Sequence, residues 1–112
     1  MGEHYQILII EDSPEDSEFY RRALESDPNN HYRVFEVNSG VEALALVPEL
    51  AIDLVLLDFH LPDMTGLELF AKLCDDISCV IPTIMLTGQG GEAIAVKAMK
   101  LGVEDYLVKG QY

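Results

Sequence analysis

The chain has 112 residues and a formal net charge of -13, from 20 Asp plus Glu against 7 Lys plus Arg. That length supports one domain burying very roughly two thirds of its unfolded surface, and that charge repels nucleic acid and gives no attraction to an anionic membrane. The apolar stretches fall well short of the roughly 20 residues that span a bilayer, and Met-Gly-Glu-His-Tyr-Gln at the start lacks a signal peptide's basic and apolar segments, so the expectation is one cytoplasmic domain over 1–112 with no direct nucleic-acid or membrane partner.

In chain order, a first strand is predicted near 5–11, where Ile7 to Ile10 run into Glu11 and Asp12. Ser13 and Asp16 have capping-box spacing and Pro14 suits the first helical position; the helix that follows presents Phe19, Ala23 and Leu24 as its apolar stripe toward the sheet. A second strand falls near 32–37. Ser39 with Glu42 starts a second helix, striped by Leu44, Val47 and Leu50, whose regular part ends near Pro48.

The third strand, near 53–58, runs from Leu54 to Leu57 into Asp58. Behind it Pro62 stiffens the loop, Met64 can anchor it on the core and Gly66 allows a tight entry into a third helix capped by Thr65 and Glu68. Cys74 and Cys79 are too close to form a disulfide framework and are expected as reduced thiols; His4, His31 and His60 are scattered, so no transition-metal site is indicated. A fourth strand near 82–87 ends on Thr87, followed by Gly88-Gln89-Gly90-Gly91, a weakly capped and therefore mobile junction. The fourth helix carries Ala93, Ile94, Val96, Lys97 and Met99 and stops at Gly102 in a left-handed cap; the last strand, near 104–108, leads from Tyr106 to Val108 into Lys109.

Strands alternating with helices predict a parallel sheet whose carboxyl ends share one edge. On that edge three carboxylates, a hydroxyl and an ammonium converge from Glu11, Asp12, Asp58, Thr87 and Lys109. Adjacent carboxylates repel unless something positive intervenes, and a hard divalent ion with oxygen ligands, Mg²⁺, is the natural neutraliser. Taken singly, each residue has a plainer role: Glu11 and Asp12 favour a helix amino terminus, Asp58 ends a strand, Thr87 suits a strand, Lys109 is solvated and Tyr106 is an edge aromatic. Their recurrence at four strand ends is what those roles leave unexplained. Asp58 can then attack phosphorus in line, the backbone carbonyl of His60 can add a metal ligand, Thr87 can hydrogen-bond a phosphoryl oxygen, and Gly88 leaves room for a bulky donor.

Together these residues resemble the receiver domain of bacterial response regulators, from about Gln6 to Lys109. The acidic pair Glu11 and Asp12, the motif from Asp58 through Pro62 to Gly66, Thr87-Gly88, Tyr106 and Lys109 stand at the family's spacing. The resemblance implies a flavodoxin-like, doubly wound α/β fold with a five-stranded parallel sheet of order 2-1-3-4-5. It also implies a phosphoacceptor in a two-component phosphorelay. Asp58 would take a phosphoryl group from a histidine kinase or histidine phosphotransfer protein, with Mg²⁺ held by Asp12, Asp58, the His60 carbonyl and Glu11 through water. Thr87 and Lys109 would bind phosphoryl oxygens, Thr87 and Tyr106 would switch the face of the fourth helix and fifth strand toward a downstream output domain or protein, and His60 and Gln89 would tune acyl-phosphate lifetime.

Two departures stand out. Gly110 follows Lys109 where the family usually has Pro, so a trans bond is expected and the reach of Lys109 is in question. The sequence stops at Tyr112, where the family continues into a fifth helix; the flank with Val34, Phe35, Val103 and Leu107 is expected to be under-covered, as a fragment of a longer regulator or with a homodimer partner as its cover. The alternative function is a receiver-like interaction domain that never handles phosphate. An aspartyl-phosphate phosphatase would need a second carboxylate two residues past Asp58, where His60 stands, and a flavin-binding flavodoxin would need a less acidic first turn.

Overall fold

The computed structural model describes residues 2–76, 81–88 and 92–110. Apolar runs rich in Ile, Leu and Val form the strands β1 (His4–Ile10), β2 (His31–Val37), β3 (Leu54–Asp58), β4 (Thr83–Thr87) and β5 (Asp105–Val108), each within a residue of its expected place. All pair in parallel in the order β2-β1-β3-β4-β5. The connecting helices are α1 (Pro14–Glu25), α2 (Gly40–Leu46, tightening into a 3-10 turn over Val47–Glu49), α3 (Gly66–Asp76) and α4 (Glu92–Leu101). None of the described helices is long and apolar enough to cross a membrane.

Alternation along the strands divides the core in two. Leu8 and Ile10 of β1, Val55 and Leu57 of β3 and Met85 of β4 join Ala43, Val47, Leu69, Phe70, Leu73, Ala98 and Val103 on one face. Full burial of each large side chain of this kind stabilises the fold by about 1.5–3 kcal/mol. Ile7, Ile9, Leu86 and Tyr20 form a smaller cluster on the α1 side, ringed by half-buried Val34, Leu54, Leu56, Ile84 and Leu107. Of the flank residues expected to lack cover, Val34, Phe35 and Leu107 are half-buried. Val103 is not under-covered: it is 3% exposed, because the turn after α4 folds it onto the larger cluster.

The stripe on α1 differs from expectation. Phe19 is 54% exposed and Ala23 is exposed, while Ser17, Tyr20 and half-buried Leu24 face the sheet. The helix is rotated by one residue because Tyr20 packs its ring against Ile7 and Ile9 and Ser17 donates to Glu36 Oε1 of β2 at 2.5 Å. Helix stops follow the sequence closely: Gly102 has φ +109° and its amide and that of Val103 return to the Ala98 carbonyl, as a left-handed cap requires. Gln89, Gly90, Gly91 and Cys79 lie outside the described residues, so the mobility expected of the β4–α4 junction does too.

Candidate functional site

Register brings the strand ends together. Ile10 lies opposite Leu57, so Glu11 follows β1 beside Asp58; Asp58 lies opposite Leu86, and Thr87 opposite Val108, so Lys109 leaves β5 next to Thr87. The Lys109 amide donates to the Thr87 carbonyl at 2.7 Å and the Phe59 amide to the Leu86 carbonyl at 2.8 Å, which extends the ladder past the strands and fixes the edge. Glu11, Asp58 and Lys109 share the parity of the α1 face, whereas Thr87 and Tyr106 share the other.

The loop after Asp58 is a closed structure. The Gly66 amide donates to the Phe59 carbonyl at 2.6 Å, the Leu61 amide to Met64 at 3.3 Å, and His60 pairs with Thr65 as an isolated bridge. A Cβ on Gly66 would lie 2.6 Å from the Asp58 carbonyl oxygen, so only glycine permits this return. Met64 packs on the core and fills the space beside Gly40, where a Cβ would meet its sulfur at 2.5 Å. Asp63 accepts from the Gly40 and Val41 amides at 2.9 Å each, capping α2 from another loop; these bonds hold its carboxyl below the usual range.

Glu11 and Asp58 are each 4% exposed; Asp12 is exposed. One carboxylate oxygen from each of the three lies within 4.8 Å of the others. The Lys109 side chain is one-fifth exposed; its ammonium donates to Glu11 Oε1 at 2.7 Å and to Asp16 Oδ2 at 2.9 Å, and forms an ion pair with Asp58 Oδ1 at 3.2 Å. Burial raises the Glu11 carboxyl to about 7, against the lowering effects of the Lys109 ammonium and the Ser13 amide, with the Asp58 charge adding to the rise. Burial alone would lower Lys109, but its hydrogen bonds to Glu11 and Asp16 and the Asp58 charge hold it well above the ordinary lysine value. The ammonium is therefore a fixed charge across physiological pH. It neutralises one carboxylate of a cluster that contains four, and hard oxygen donors at this spacing fit a divalent cation such as Mg²⁺, Ca²⁺ or Mn²⁺.

The expected site residues Glu11, Asp12, Asp58, Thr87 and Lys109 are thus on one edge. Thr87 is 1% exposed. Tyr106, opposite Met85, sits diagonally from Thr87 on the same face, half-buried against the core, and its buried hydroxyl has no hydrogen-bond partner among the described residues. His60 is exposed, with its ring edge-on to Phe59 at 4.8 Å; Gln89 is outside the described residues. No cis peptide bond occurs among the described residues, in keeping with a trans Lys109–Gly110 bond, and Gly110 takes φ +86°.

Asp16, expected only as the capping-box partner of Ser13, also joins the site. Its amide donates to Ser13 Oγ at 3.3 Å as a cap should, yet its carboxylate does not fold back on the Ser13 amide, because Glu11 Oε2 already accepts that amide at 3.1 Å. The displaced carboxylate turns to Lys109. The signal in the sequence was an acid two residues ahead of the cap, able to take the amide that a capping box assigns to the acid three residues behind.

A model of the response regulator receiver domain matches residues 7–111. The Phosphate regulon transcriptional regulatory protein PhoB of Pseudomonas aeruginosa is 35% identical over 104 residues, which are 92% of this chain and 44% of that protein. The chain spans under half the length of such curated relatives. Among solved structures, the Mn²⁺-bound form of response regulator Rcp1 superposes with a TM-score of 0.85 at 26% identity, covering 96% of this chain and 83% of the other. A response regulator protein from Burkholderia pseudomallei with a phosphorylated aspartic acid, calcium ion and citrate gives 0.83 at 31% identity, covering 96% and 61%.

Proposed function

Because the chain belongs to the response regulator receiver domain family, we propose that it is the phosphoacceptor module of a two-component relay, with Asp58 as the acceptor. The observation that carries this reading is the placement of a buried Asp58 3.2 Å from the Lys109 ammonium, with oxygens of Glu11 and Asp12 near enough to share a cation with it.

The donor is a phosphohistidine of a histidine kinase or histidine phosphotransfer protein. An Asp58 carboxylate oxygen attacks phosphorus as the phosphorus–nitrogen bond breaks; the leaving imidazole takes a proton from solvent, and Asp58 becomes an acyl phosphate. Glu11, Asp12, Asp58 and the His60 carbonyl would hold Mg²⁺, which supplies positive charge to the phosphoryl oxygens when bound. Lys109 passes from the Asp58 oxygen to a phosphoryl oxygen; with its proton held far above physiological pH it acts by charge alone. The Thr87 hydroxyl donates to another phosphoryl oxygen. Gly88 has open space around it, which suits a bulky donor. Hydrolysis reverses the state: water attacks phosphorus, the phosphorus–oxygen bond breaks, and inorganic phosphate, a proton and the Asp58 carboxylate result. His60 and Gln89 tune that step.

The signal leaves through α4 and β5. Thr87 moves toward the phosphoryl group, and Tyr106, whose buried hydroxyl has no hydrogen-bond partner among the described residues, follows on the same face. The altered face engages a downstream output domain or protein, and the domain catalyses no other turnover. Intact mass after incubation with acetyl phosphate and Mg²⁺ tests the acceptor: one added phosphoryl mass is expected on the wild type and none on Asp58→Ala. An unlabelled wild type, or equal labelling of the variant, would leave only an interaction domain.

A further inference from the structure

We infer that Asp16 is a positioning residue for the transfer, the anchor that keeps the Lys109 ammonium beside Asp58 while its other two partners change state. The inference rests on the phosphoacceptor reading and adds a residue to it.

Three carboxylates surround Lys109 Nζ. Glu11 and Asp58 also belong to the set of oxygens spaced to share a cation; Asp16 does not. Loading the site draws on Glu11 and Asp58 electron pairs, and phosphorylation turns the Asp58 carboxylate into an acyl phosphate. Asp16 alone among the three remains an unmodified, uncommitted carboxylate throughout. It also approaches from α1, a different element from the strands bearing the rest of the site, so its 2.9 Å contact restrains the ammonium from the side that the sheet edge leaves open.

The backbone makes such an anchor useful. Lys109 is followed by Gly110 at φ +86°, a residue with wide conformational freedom, so the chain beyond Lys109 does little to aim its long side chain. Holding four methylenes in one conformation costs rotamer entropy, and a charge-assisted hydrogen bond that persists through the reaction offsets that cost before the phosphoryl group arrives. Asp16 can hold this position because Glu11 has taken over the Ser13 amide, leaving the Asp16 side chain unneeded as a cap while its amide still closes the first turn.

The test is a double-mutant cycle on labelling rate, with acetyl phosphate and Mg²⁺ as the probes, using wild type, Asp16→Asn, Lys109→Met and the double variant, plus Asp16→Glu as the conservative replacement. Asp16→Asn should slow labelling at saturating acetyl phosphate about tenfold, equal to about 1.4 kcal/mol in the transition state, with Mg²⁺ affinity changed less than twofold. In the Lys109→Met background the same substitution should change nothing, and Asp16→Glu should recover most of the wild-type rate. A merely structural role would slow labelling equally in both backgrounds and would lower melting temperature in step, and that result overturns the inference. Equal rates for wild type and Asp16→Asn overturn it while leaving the acceptor reading intact. A wild type that takes no label at all removes both.

Discussion

The two ends of the sheet are built from similar residues and treat charge in opposite ways. At the amino end, exposed Asp53 and half-buried Asp27 meet neutral donors. The Gln6 amide donates to Asp53 Oδ2 at 2.7 Å while the Asp53 amide returns to the Gln6 carbonyl at 2.8 Å, and Asp27 accepts from Tyr32, Asn30 and Asn29. Those bonds, the Tyr32 hydroxyl first, lower the Asp27 carboxyl, whereas at the carboxyl end burial raises Glu11. One end is satisfied as folded; the other is held together by a single ammonium and lacks positive charge. The contrast sets the carboxyl end apart as the candidate site.

The largest effect that would sharpen the contrast is loss of that ammonium. Lys109→Met leaves buried carboxylates facing one another and should destabilise the metal-free protein by about 4 kcal/mol at pH 8, read by urea unfolding, and by much less at pH 5, where Glu11 is protonated. Equal losses at both pH values would break the comparison.

Next comes pH itself. With its folded value raised from 4.5 to about 7, Glu11 binds more protons in the native than in the unfolded state across that window, so stability falls as pH rises through it, by about 3 kcal/mol for this group. Denaturation midpoints in chelator should show the decline, and Glu11→Gln should flatten it. Added Mg²⁺ should restore stability above pH 7 by binding only the folded state.

The amino end should respond weakly. Asp53→Ala removes one hydrogen bond to an exposed amide and should cost about 1 kcal/mol by the same assay. His4→Ala, at a stacked pair of exposed rings 5.1 Å apart, should stay within about 0.5 kcal/mol. A loss at Asp53 matching that at Lys109 would mean both ends carry the same strain.

Strands were readable because residues covered on both faces are written as unbroken apolar runs, and the polar residue ending each run marked the edge where Glu11, Asp58, Thr87 and Lys109 gather. The strand order came with the family resemblance, since parallel runs alone permit several orders. What escaped was whatever depends on rotation or on a second element. Apolarity favoured Phe19 over Tyr20 on α1, but Tyr buries its ring as well as Phe, and the Ser17–Glu36 bond fixes the helix one residue round. Asp16 looked like a local cap and Asp63 carried no signal of its own, because their partners, Lys109 and the start of α2, lie far along the chain. His4 and His31 looked scattered, and the β1–β2 register sets them face to face.

The clasp between Asp63, Met64 and the start of α2 has a mechanical meaning. Asp58 sits five residues before a side chain bolted to two amides of another helix, with a sulfur filling the gap beneath. That quarter of the molecule behaves as a stiff mount, so a load applied at Asp58 is not dissipated into the β3–α3 turn. In the relay proposed above, that stiffness would direct displacement at Asp58 toward Thr87 and Tyr106 on β4 and β5.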